Sequence, residues 1–410
     1  MSEHDVLHTR ICDMLGIEYP ILSAGMGFVA RAELAAAVSN AGGLGVLGGA
    51  GFTPEQLRAE IQKTRELTDK PFGVDLLLPA PGQATRKTSS LPKNLPKDLP
   101  RSFSMAEPLS ETGSGESPTA WEEDTPARHS TAEQADGAQK KQAAPVVDPS
   151  KFQNAIQDLQ GEFAVGKDGK MVQAEDLMAI VLEEAPPVFA SGLGNPGPWV
   201  SELHDRGVKV LSLVGNVKNA RRVADAGVDA VIAQGTEAGG HTGRVGLVSL
   251  LPAVLDAVGP TPVIAAGGIC DGRGIATSLW LGAEAAWIGT RFVASNEAYA
   301  HVNYKQKITE AEEDSTVITR SYSGKTLRVI RNSWTREWEK RQDEILPFPL
   351  QFANSGSVYV VARRDGDTER GSMPCGQGAF AIKEVRPAGE LVQMLVAETR
   401  ETLARNADLR

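Results

Sequence analysis

Short apolar runs rich in β-branched residues alternate along this chain with longer stretches whose apolar positions recur at helical spacing. The short runs predict strands over 19–24, 44–47, 71–78, 187–191, 208–214, 228–233, 261–266 and 285–289. Between them the pattern predicts helices over 31–41, 54–67, 174–184, 198–206, 217–226, 245–258 and 272–281. Thr53 before Pro54 reads as an N-cap with proline at the first helical position. A last amphipathic stretch, 388–403, predicts a closing helix. Eight strand–helix units in series fit an α/β fold of the (β/α)8 TIM-barrel type, which gathers all functional loops at the strand C-termini. An open doubly wound sheet is the alternative.

The alternation breaks twice. Residues 80–149 are rich in Pro, Ser, Thr, Glu, Lys and Gln, with Leu91-Pro, Leu95-Pro and Leu99-Pro at a spacing of four. Such a sequence cannot continue a helix and does not supply the apolar surface needed for a core. It reads as a long disordered insertion after strand 3; docking of its leucines, Phe103 and Trp121 on a partner is the alternative to a passive linker. A helix is expected to follow over 152–163. Residues 295–346 are charged and irregular, with helical pieces and Trp334 and Trp338, and read as a small helical cap or lid. The organisation expected is therefore a barrel divided into 1–79 and 150–294, the insertion, the cap, and a C-terminal segment over 347–410 that carries the closing helix.

Composition narrows the function. The chain has 410 residues, 41% hydrophobic, enough for a sizeable core. A formal net charge of -10 argues against a nucleic-acid surface as the main business. Cys12, Cys270 and Cys375 form neither a disulfide framework nor a metal spacing, and no histidine pair has ligand spacing. No metal and a reducing, cytoplasmic setting are expected. No apolar run reaches the ~18 residues of a membrane span, and Met1-Ser-Glu-His-Asp5 does not begin as a signal peptide does.

The chemistry gathers where the predicted strands end. Gln234-Gly-Thr-Glu-Ala-Gly-Gly-His241-Thr-Gly243 follows strand 6 and places one imidazole among glycines. Histidine exchanges protons near neutral pH, and here it can act as a general base or hydrogen-bond donor. The Gln234 amide both donates and accepts, which suits a flavin or ribityl edge. Glu237 in the same loop reads as a group that orders it. Ala24-Gly25-Met26 ends strand 1, Asp75 and Ser191 sit at the ends of strands 3 and 4, and Gly239-Gly240 line the central loop. Gly267-Gly268 and Gly289-Thr290 follow strands 7 and 8, where barrels frequently bind phosphate through bare backbone N–H groups. There is no Walker motif, and no GxGxxG follows the first strand with an acid about 20 residues on. A mononucleotide cofactor with one phosphate, such as FMN, fits these loops.

As a set, Ala24-Gly-Met26, Asn40-Ala-Gly-Gly-Leu-Gly45, Gln234 to His241, Ala265-Ala-Gly-Gly-Ile269, Asp271-Gly-Arg-Gly274 and Gly289-Thr-Arg-Phe292 resemble the nitronate monooxygenase family over about 10–79 and 170–405. FMN-type enoyl-acyl-carrier-protein reductases and some NAD(P)H:quinone reductases look similar over the same motifs. The resemblance implies a non-covalent FMN touching Met26, Gln234, Gly239, Gly268, Gly289 and Thr290. It also implies that His241 is catalytic, with a nitronate or similar small molecule and O2 as substrates. NAD(P)H, with a quinone or enoyl thioester, belongs to the reductase alternative. A binding protein that kept the barrel and lost turnover is a third. Asp75 departs from the asparagine of many relatives, and an ionised aspartate cannot donate to a flavin oxygen.

Overall fold

The structure, a computed structural model, describes residues 7–78, 172–348 and 350–405. The insertion read over 80–149 and the helix expected over 152–163 lie outside the described residues.

Eight parallel strands form one sheet: β1 (Ile21–Ser23), β2 (Gly45–Gly48), β3 (Phe72–Leu77), β4 (Val188–Leu193), β5 (Lys209–Val214), β6 (Ala230–Gln234), β8 (Val263–Ala266) and β9 (Ala285–Ile288). Their order is β1-β9-β8-β6-β5-β4-β3-β2. The two ends of that series meet: Leu22 bridges Leu44 in parallel, the Ser23 N–H donates to Leu44 O and the Leu44 N–H to Ile21 O, each at 2.9 Å. The sheet is thus a TIM-barrel-like ring rather than the open doubly wound alternative.

The strands are buried on both faces, which is why each reads as a near-continuous apolar run. Alternate residues point in: Leu22, Val46, Val188, Ala190, Leu211, Ile232, Ile264, Ala266, Ala285 and Trp287 pack together inside the ring. The helix Arg10–Leu15 adds Ile11, Cys12 and Leu15 to that inner cluster. Their neighbours in sequence, among them Ile21, Leu47, Val74, Phe189, Val210, Val231, Val263 and Ile288, face the surrounding helices. The helix Ala388–Arg405 packs against the helices Gly272–Trp280 and Ala32–Asn40, filling the gap between the last strand and the first. The expected N-cap at Thr53 is present: its side chain accepts from the Gln56 N–H, and the Gln56 amide oxygen accepts from the Thr53 N–H.

The cap carries the helices Val302–Thr309 and Ser333–Glu339 and also two antiparallel strands, β10 (Thr316–Thr319) and β11 (Leu327–Ile330). A two-residue strand inside the central loop, β7 (Gly240–His241), pairs with β11, with His241 opposite Leu327 and Gly240 opposite Arg328. Hydrophobic patterning did not foresee these strands. No described helix is long and apolar enough to cross a membrane.

Closure leaves no room at Gly45, where a Cβ would lie 1.8 Å from the Ala35 carbonyl oxygen. Backbone cannot give way as a side chain can, so Gly45→Ala is expected to cost at least about 3 kcal/mol, at the upper end of overpacking. Thr53→Ala, which removes only the cap, is expected to cost about 1 kcal/mol. Urea unfolding of the two variants checks this; equal midpoints would contradict the packing argument.

Candidate active site

Twelve of the residues singled out for chemistry line one cavity at the C-terminal ends of the strands: Ala24, Gly25, Met26, Asp75, Gln234, Gly239, Gly240, His241, Gly267, Gly268, Gly289 and Thr290. Its volume is about 410 Å³, within the range of small-molecule sites. The upper interior of the ring is built from small residues, Ala24, Ala190 and Ala266, and that is what leaves the space.

One wall is backbone. Gly240, Gly267 and Gly268 have φ of 76°, 110° and 71°, a region that side-chain-bearing residues avoid. A Cβ on Gly239 would also fall 2.7 Å from the Cys375 backbone carbon. The Thr290 hydroxyl accepts from the Gly376 N–H at 2.9 Å. This wall has the chemistry of a phosphate cradle, and Gln234 at the end of β6 adds an amide.

The central loop is held from two sides. Both Glu237 carboxylate oxygens accept from the Leu247 N–H at 3.0 Å, capping the helix Leu247–Val258, so Glu237 orders the loop and is turned away from the cavity. Arg328, buried on β11, donates through Nε and Nη2 to Thr236 O at 3.1 and 3.0 Å and through Nη1 to Thr316 Oγ1 at 3.1 Å. With the β7–β11 pairing, these bonds fix His241 against the cap.

His241 Nε2 lies 3.2 Å from Ser323 Oγ. Burial, helped by the positive charge of Lys325, lowers its pKa to about 4, so the imidazole is neutral near pH 7. Ser191 does not reach the cavity: it is fully buried in the wall and its hydroxyl donates to Leu193 O at 3.2 Å.

Sequence reasoning missed the cap's share of the lining. Ser323 and Lys325 of the cap, and Phe348, Phe352, Tyr359 and Arg363 of the C-terminal segment that follows it, also line the cavity. Lys325 Nζ sits 4.5 Å over the Phe348 ring, and Arg363 lies 4.1 Å over Phe28. Phe28 has φ of 67°, an uncommon conformation for an aromatic residue, and Gly51 makes the space for its ring. Tyr304 donates to Pro374 O at 2.5 Å and pins the segment that meets Gly239. Among the described residues no group of three or more His, Cys, Asp or Glu could hold a metal ion, and the three cysteines are buried thiols outside any disulfide.

A parallel barrel with a glycine-walled cavity and one neutral histidine at the C-terminal ends of its strands has the layout of a barrel enzyme's active site. The chain belongs to the nitronate monooxygenase family, whose sequence profile matches residues 8–105 and 136–398. The unmatched stretch, 106–135, is shorter than the insertion read from composition, so both flanks of that insertion fall within the family match. A probable nitronate monooxygenase of Staphylococcus saprophyticus is 29% identical over 411 residues, covering 97% of this chain and 99% of that one. Among solved structures, FabK from Thermotoga maritima superimposes with a TM-score of 0.72 at 32% identity over 99% of this chain and all of that one. A nitroalkane oxidase from Streptomyces ansochromogenes superimposes with a TM-score of 0.69 at 28% identity, over 96% and 99%.

The His241 shift has a measurable sign. An unfolded imidazole takes up a proton near pH 6.5, whereas the folded one waits until about 4. The unfolded state therefore binds more protons in that window, and stability falls as pH drops from about 6.5 to 4. NMR titration of the protein without ligand, with the resonance assigned by H241N, is expected to give a pKa near 4 that rises in Lys325→Met. A value at or above 6.5 would contradict the environment described.

Proposed function

We propose that this chain binds FMN without a covalent link and oxidises alkyl nitronates with O2, with His241 at the reacting carbon or nitro group. The observation that carries the proposal is that the glycine wall and His241 line one cavity. Gly267, Gly268, Gly289 and Thr290 would hold the phosphate, and Gln234, Met26, Gly239 and Gly240, with Ala24, Gly25 and Asp75, would border the flavin. The bound cofactor supplies a two-electron acceptor that O2 can reoxidise.

The chain's own groups then divide the remaining work. Ser323 holds the Nε2 side of the imidazole, and Nδ1 has no partner among the described residues. Lys325 brings positive charge beside His241, which attracts an anion and disfavours the imidazolium. A base with a pKa near 4 is poorly matched to removing a carbon-bound proton at pH 7. A neutral imidazole is well suited to donating a hydrogen bond to a nitronate oxygen. The substrate that fits is therefore the nitronate anion in preference to the neutral nitroalkane. The aromatic residues of the lining would exclude water from the reacting centre.

The second reading is an NAD(P)H-dependent reductase of quinones or enoyl thioesters. Two cations, Lys325 and Arg363, on an aromatic wall favour it, because they suit a larger anionic partner such as a pyridine nucleotide.

Anaerobic mixing of FMN-loaded protein separates the two readings. Propyl-2-nitronate is expected to bleach the flavin at least about 100-fold faster than 2-nitropropane, and NADH or NADPH is expected not to bleach it. Rapid bleaching by a pyridine nucleotide alone would move the protein to the reductases. His241→Ala is expected to keep FMN and lose about 10²–10³-fold in turnover, as for removal of one hydrogen-bond donor to the reacting group; unchanged turnover would remove His241 from the mechanism.

A further inference from the structure

Asp75 is the one carboxyl among the described residues that lines the cavity. It lies in the buried part of β3, with Gly48 of β2 and Ala190 of β4 as its register partners, and is 7% exposed. Glycines crowd it on two sides. A Cβ on Gly25 would come within 2.2 Å of Asp75 Cβ and 2.6 Å of Oδ2, and a Cβ on Gly192 within 2.7 Å of Oδ1. The site is thus shaped around this side chain.

Its electrostatic surroundings are sparse. Among the described residues the only hydrogen bond to the carboxyl comes from the Gly192 N–H, 2.7 Å from Oδ1. The other titratable groups on the cavity, His241, Cys270, Tyr304, Lys325, Tyr359 and Arg363, form no hydrogen bond or ion pair with it. On the helices packed outside β3, Glu33 pairs with Lys63, Glu184 with Arg58 and Arg65, and Asp176 accepts from the Gln173 N–H. A buried carboxylate with one N–H donor and no cation is costly, and proteins resolve that cost by protonation. Burial accordingly pushes the Asp75 carboxyl well above its usual range.

We propose that Asp75 stands in the folded protein as a neutral carboxylic acid whose Oδ2–H donates a hydrogen bond to an acceptor atom of the flavin. This rests on the FMN reading above. Oδ1 is the oxygen that accepts from Gly192, so the proton belongs on Oδ2, on the side of Gly25 and the loop that carries Met26. A protonated carboxyl has the O–H donor that an ionised one lacks. It also places no negative charge beside a cofactor that must take up electrons. The aspartate therefore does the work of a neutral amide without being one.

Infrared difference spectra and redox titrations test this on the whole chain. Wild-type protein minus Asp75→Asn, without FMN at pH 7, is expected to show the C=O stretch of a protonated carboxyl. With FMN bound, Asp75→Asn is expected to hold the cofactor within about threefold of wild type and to share its midpoint potential at pH 7. Asp75→Leu, which keeps the bulk and loses the donor, is expected to bind FMN about tenfold more weakly, as for one neutral hydrogen bond. At alkaline pH, as the acid ionises, the wild-type potential is expected to fall below that of Asp75→Asn. A missing carboxyl band together with a higher potential in Asp75→Asn at pH 7 would overturn the proposal. If no variant binds FMN, the flavin reading fails and the donation with it, while the band in the cofactor-free protein still decides whether the acid is neutral.

Discussion

Everything at the active end depends on the closure of eight parallel strands into a ring. A parallel strand has both faces to bury and two edges to satisfy, and only closure with surrounding helices does all four. Here the last pairing, Leu22 with Leu44, is short and needs glycine at position 45, because the helix Ala32–Asn40 lies directly on it. Once closed, the ring fixes where each strand stops. Large residues and the helix Arg10–Leu15 fill its interior below, while alanines and glycines at the upper end leave a cavity. The site is the unfilled part of the core.

A second constraint acts on that cavity. The loop after β6 is glycine-rich and would be mobile alone, since glycine gains most from disorder. It is held by β11, by the two Arg328 bonds to Thr236 and by the Glu237 cap on the following helix. The cap is therefore not an ornament on the barrel. It supplies the strand that aligns His241, the hydroxyl at its Nε2, and a cation that adds to burial in keeping it neutral. The barrel supplies the cavity's backbone wall, and the segments that follow the barrel strands supply much of its side-chain lining.

That division also explains what could be read in advance. The barrel strands were legible because burial on both faces writes itself as an apolar run, and the glycine rim because Gly267 and Gly268 sit at strand ends with backbone angles few other residues adopt. His241 was legible as the one imidazole among those glycines. β7 was not, since a two-residue strand such as Gly240–His241 exists only through its partner. Ser323, Lys325 and Arg363 were not legible either: they come from segments that follow the barrel strands, and nothing in their local pattern says which way they face. The Thr316–Thr319 and Leu327–Ile330 runs carried β-branched residues that could have suggested the hairpin. Asp75 was visible as a departure from the asparagine that the family resemblance implies, but its surroundings were not: among the described residues, one N–H, two crowding glycines and no cation.

The central claim is that the glycine wall is a cradle for a flavin carrying one phosphate. The most direct measurement is absorbance and calorimetric titration of cofactor-free protein with FMN and, separately, with riboflavin. FMN is expected to bind one to one, with riboflavin at least about 100-fold weaker, because the phosphate accounts for two or more charge-assisted hydrogen bonds from the loops after β8 and β9. Equal affinity for the two flavins, or no binding of either, would contradict the account.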